Sequence, residues 1–187
     1  MHKEPSPVHI YRDCNMKDSF KLFINLNALT NKQLVDLWNF VFDRVNQFSF
    51  RFPNYHHSTS NIMKIKYDDN AQIDEAFCDY LEKNIMLINK CENNKIKKEI
   101  TNRYFNDKYS NLSIVYHCKM FDYLKEIVYR NPNLFNWLEP DLPEDLSFLI
   151  NGKLFVYVCS HEDLCVFYVN SKDRDKILEC TGDSSLC

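Results

Sequence analysis

The stretch Cys159-Ser160-His161-Glu162-Asp163-Leu164-Cys165 gathers two thiols, an imidazole and two carboxylates within seven residues. Such a set could run thiol chemistry. Cys159 or Cys165 would attack, His161 would take the proton, and a carboxylate would orient the imidazole. The sequence around them argues for a plainer use. Each cysteine borders a run of apolar residues, where a thiol serves as a small hydrophobe. The segment between them, Ser160 to Asp163, reads as a solvated turn. No catalytic residue is therefore expected, and Cys159, His161 and Cys165 are the side chains that a thiol hydrolase would have to use.

A metal centre would draw on the same groups. Zinc sites announce themselves through C-x2-C or H-x3-H pairs, because a short loop then delivers two ligands to one ion. This chain has no C-x-x-C. His117-Cys118 and Cys159-x-His161 could meet in space, while His56-His57 belongs to a polar loop. Neither metal nor cofactor is expected. The adjacent acids Glu144-Asp145 and Glu162-Asp163 would shift one another's proton affinity strongly only if buried.

Nucleic acid has one candidate surface, in which Lys95, Lys97, Lys98 and Arg103 run into Tyr104, Phe105 and Tyr109. Bases interleaved with aromatics can contact phosphates and stack on nucleobases. Glu92, Glu99 and Asp107 dilute the charge, and a sequence pI near 6.1 lacks a cationic footprint. A solvated amphipathic helix is the simpler reading. Glycine occurs only at 152 and 182, so no G-x-G-x-x-G or G-x-x-x-x-G-K loop can exist.

The elements that must carry these residues follow from periodicity. Val8 to Tyr11 reads as a short strand. Phe20, Leu22, Ile24 and Leu26 alternate, as do Phe48, Phe50 and Phe52 before Pro53 and Met63, Ile65 and Tyr67, giving three half-buried strands. Thr30 and Gln33 have the spacing of a capping box, opening a helix with Leu34, Trp38, Val41 and Val45 on one face. Asp69 and Gln72 suggest a second cap, before a helix over Ile73 to Ile88. Residues 91–108 read as a shorter helix and loop, and Ile114 to Cys118 fits either strand or helix. A further helix ends near Arg130, ahead of Pro132.

The last third is the most explicit. Asn151-Gly152 between two apolar arms is a strong hairpin signal, because a type I′ turn needs positive φ at both central residues. The arms, 145–150 and 153–159, are apolar on successive residues, which predicts cover on both faces. A third strand over 164–169 completes a meander, and Asn170 or Ser171 caps a last helix to about Cys180. Clustered strands with helices between them predict an α+β fold, mainly antiparallel, in one globular domain over 1–187 with a frayed tail from 181.

Bulk composition sets outer bounds. With 187 residues, 45% of them hydrophobic and 14% aromatic, the chain has ample material for a core, with Trp38, the Phe48–Phe52 set and Trp137 as core aromatics. Eight irregularly spaced cysteines and no apolar leader predict reduced thiols and a cytoplasmic protein. No run is apolar enough for a membrane span. Net charge is −3, but residues 134–187 carry ten acids against four bases, a local −6. Glu139, Asp141, Glu144, Asp145, Glu162 and Asp163 are thus the expected binding residues, facing a basic protein partner.

Leu138-Glu139-Pro140-Asp141-Leu142-Pro143-Glu144-Asp145-Leu146, the Asn151-Gly152 turn and Ser160-His161-Glu162 together resemble a segment of small bacterial proteins. Some of those carry the label stage III sporulation protein AH, and others are immunity proteins of toxin systems. The resemblance covers about residues 133–170. It implies no catalytic residues and is compatible with a non-catalytic module that masks a partner.

Overall fold

Alternating apolar residues become strands of one eight-stranded, wholly antiparallel sheet. The computed structural model describes residues 7–12, 18–53, 75–102, 112–138 and 142–183. Its strands are β1 (Val8–Arg12), β2 (Phe20–Ile24), β3 (Gln47–Pro53), β4 (Lys95–Asn102), β5 (Leu112–Lys119), β6 (Glu144–Ile150), β7 (Lys153–Cys159) and β8 (Leu164–Val169). Their order in space is β1-β2-β8-β7-β6-β3-β5-β4. The helices are α1 (Asn31–Phe42), α2 (Glu75–Asn94), α3 (Asp122–Arg130) and α4 (Ser171–Thr181). The fold is α+β.

The register explains where the core sits. Leu22, Phe167, Val156, Phe148, Phe48 and Cys118 lie opposite one another in a row across six strands. All six are wholly buried. Because side chains alternate between faces, this row marks the inner face of the sheet. Helix α1 lies over it, with the Trp38 and Phe148 rings 5.9 Å apart and Phe40 6.2 Å from Phe155. Phe121, just ahead of α3, meets Phe48 edge-on at 5.3 Å. The buried indoles are satisfied as buried donors must be: Trp38 donates to the Pro132 carbonyl at 2.6 Å and Trp137 to that of Asn131 at 2.8 Å.

Local signals fix the element ends. Thr30 and Gln33 form the reciprocal capping box at the start of α1. The Gln33 amide also donates to the Thr181 carbonyl at 2.6 Å, so one side chain ties the first helix to the end of the last. Asn151 and Gly152 have φ of 51° and 79°, as the hairpin turn requires. Asn46 grips this turn through the Asn151 backbone N–H at 2.9 Å and its side chain at 2.6 Å. Asn170 caps α4, which closes on Gly182 in the left-handed region.

Three expectations need correction or placement. The charged segment after Cys91 is not a helix and loop: α2 runs to Asn94 and the chain continues at once as β4. The apolar run of β7, expected to be covered on both faces, contains a bulge opposite Phe148 and Leu149 that turns both Phe155 and Val156 into the core, while Cys159 on the other face is buried as well. The strand read at Met63 to Tyr67 and the cap at Asp69 and Gln72 lie outside the described residues, as does the tail beyond Asp183.

Candidate functional site

Strands β3, β6 and β7 bring a set of polar side chains together on the sheet face opposite α1. The pairing of β3 with β6 slips between Ser49 and Arg51. Asp145, at φ 55°, sits in that irregularity, a backbone state that aspartate tolerates better than most residues. Its carboxylate is only 8% exposed and lies 3.4 Å from Arg51 Nε through Oδ2. Oδ1 has no hydrogen-bond partner and lies 3.8 Å from His161 Nδ1.

Tyr157 and Cys159 share this face because they stand two residues apart on β7. Beyond Cys159 the chain makes a 3-10 turn, Ser160–Glu162, and Asp163 reverses it at φ 49°. The buried Ser160 hydroxyl anchors the turn by donating to the Leu134 carbonyl at 2.8 Å. The turn folds the imidazole back, so that Cys159 Sγ is 3.6 Å from both His161 nitrogens.

That geometry does not suit nucleophilic catalysis. A general base needs one ring nitrogen on the thiol and the other on the carboxylate. Equal sulfur distances place Sγ on the plane that bisects the two nitrogens, off either lone-pair axis. Burial, and then the Asp145 charge, push the Cys159 thiol up to about 11, so it stays protonated at neutral pH. The same two causes, in the same order, raise the Tyr157 hydroxyl. Cys165 faces the core, and burial alone raises its thiol. The structure therefore brings Cys159 and His161 together and leaves Cys165 apart.

The acidic residues divide into groups. Asp145 is buried against Arg51. Asp173, Asp175 and Glu179, from the same acidic third, are joined to Arg44, Arg174 and Lys176. Glu162 and Asp163 are exposed on the turn, with Glu162 3.8 Å from His161. Glu139 and Asp141 lie outside the described residues, and of Glu144 only the backbone is described.

The basic candidates are also occupied. Lys95 and Lys98 pair with Glu92 at 2.8 and 3.2 Å, and Lys97 pairs with Glu99. Arg103, Tyr104, Phe105 and Tyr109 lie outside the described residues. His117 and Cys118 do not meet Cys159 and His161, since β3 and β6 separate their strands. Cys91, Cys118, Cys159, Cys165 and Cys180 are free, and no helix among the described residues is long and apolar enough to cross a membrane.

Arg51 and Tyr157 belong to the cluster without having been singled out by sequence. Parity along β7 gives Tyr157 to the Cys159 face; Arg51 needs the slipped register, which no local pattern encodes. Comparison of the chain with protein-family models, with curated proteins and with solved structures finds no match.

Proposed function

We propose that this protein is a non-catalytic binding module of the immunity or inhibitor kind, and that it meets a basic protein partner through the turn at Ser160 to Asp163. One observation carries the reading. Of the acidic third's described carboxylates, Asp145, Asp173, Asp175 and Glu179 are neutralised within the chain, while Glu162 and Asp163 stay exposed with no Lys or Arg ion partner among the described residues. The turn that bears them is held by the Ser160 anchor and so loses little conformational freedom when it binds. Free thiols fit work in a reducing compartment such as the cytoplasm.

The protonated, off-axis thiol of Cys159 weighs against a hydrolase, and the internal pairing of Lys95, Lys97 and Lys98 weighs against RNA. The test is affinity capture from native extract with the wild-type chain and with a Glu162→Lys/Asp163→Lys double variant, at low and high salt. A basic prey that wild type retains at low salt, and that is lost at high salt and by the charge-reversed variant, is the expected result. A prey bound equally by the charge-reversed variant would overturn the acidic-turn reading.

A further inference from the structure

We infer that Asp145, Cys159 and His161 form a binding site for one divalent ion of the zinc class, a site independent of the partner-binding reading above. Asp145 Oδ1, Cys159 Sγ and His161 offer ligand atoms that all lie within 4.8 Å of one another. Two edges of this triangle are shorter: 3.6 Å from Sγ to Nδ1, and 3.8 Å from Nδ1 to Oδ1. A tetrahedral ion with bonds of about 2.0–2.3 Å holds adjacent ligand atoms about 3.3–3.8 Å apart. Two of the existing edges are near that spacing, and the site closes by a small shift together with a turn of the imidazole that aims a lone pair at the ion.

A second observation points into the same space. Asp145 Oδ1 is buried and has no hydrogen-bond partner, although its carboxylate is more than nine-tenths buried. A buried carboxylate oxygen is normally satisfied, and an ion at the centre of the triangle would satisfy this one. Equidistance from both ring nitrogens sets Cys159 Sγ off either lone-pair axis, so the His161 ring must rotate to aim one nitrogen at an ion that the sulfur also reaches. The Arg51 guanidinium, 3.4 Å from Oδ2, balances the charge of the carboxylate without a hydrogen bond from its Nε.

The donor set selects the ion. A thiolate, an imidazole and a carboxylate suit Zn2+ or a similar borderline metal, whereas Mg2+ and Ca2+ take shells of oxygen. Three protein ligands leave a fourth position, and the His161 side chain, 36% exposed, puts it on the solvent side for water or a partner's group. Binding forms the metal–sulfur, metal–nitrogen and metal–oxygen bonds, displaces water from the hydrated ion, and releases the Cys159 thiol proton to the buffer.

Cobalt titration of the chelator-stripped, reduced full-length chain tests the site. The expected result is one equivalent bound with a thiolate-to-cobalt charge-transfer band, displaced by Zn2+. Cys159→Ser should abolish the band. His161→Gln changes a partly exposed side chain and should keep the circular dichroism of the fold while weakening cobalt binding by on the order of 100-fold. The site is refuted if wild type shows no band at one equivalent, if Cys159→Ser retains it through other thiols, or if folded His161→Gln binds as tightly as wild type.

Discussion

Glu92 shows how a single side chain can be tuned from several directions at once. Partial burial alone would raise its proton affinity, but hydrogen bonds from Lys95, Tyr116 and Lys98, with the Lys98 charge, outweigh it and hold the carboxyl at about 2. The unfolded value is about 4.3, so this carboxylate favours the folded state above that pH and loses its contribution as pH falls toward 2. The group is more than a third exposed, which makes the effect small. Urea melts of wild type and Glu92→Gln should show a stability gap that is widest near neutral pH and narrows steadily below about pH 4.5. A gap that stays constant with pH would assign the loss to packing. Residue chemistry of this kind was only partly legible beforehand. The sequence places Cys159 and His161 two apart, and a turn between them follows from Ser160 to Asp163. That Asp145 joins them depends on an irregular strand pairing and a left-handed backbone, which are set by the whole sheet.

Elements were most readable where their ends are defined by chemistry within a few residues. The Thr30–Gln33 box, the Asn151-Gly152 turn and the Asn170 cap are each complete in the local sequence, and each occurs where expected. The segment Lys95–Asn102 failed for a physical reason. Its charges reflect an edge strand, where Lys and Glu discourage pairing with another chain, and this resembles the composition of a solvated helix. The capping box offers a direct measurement of element stability. Thr30→Ala removes the hydroxyl that accepts the Gln33 backbone N–H and should cost ~1 kcal/mol in chemical denaturation. Because Gln33 also reaches Thr181, hydrogen exchange at the end of α4 should rise in the same variant.

For the molecule as a whole, the two outer strands decide how it behaves in company. Strand β4 closes one edge with Lys95, Lys97, Lys98 and Glu99, so that edge presents charge and not an apolar template. Replacing Lys97 and Glu99 together by Ile and Val should leave the circular dichroism of the fold unchanged while producing species larger than those of wild type in light scattering at the same concentration. A variant that keeps the size of wild type at every concentration would mean that the edge is protected by something other than charge. The sheet order itself could not be read from the sequence, because alternation gives each strand a face but not a neighbour.

That order has a consequence for synthesis. Strand β2 pairs with β8, its inner neighbour, across almost the whole length of the chain. A two-stranded hairpin is marginal in water, so β1 and β2 have nowhere to settle until β8, synthesised much later, is made. A nascent chain arrested before residue 164 would hold the β1–β2 hairpin unlodged and its apolar faces open to chaperones, and β8 is the strand that joins that hairpin to the rest of the sheet.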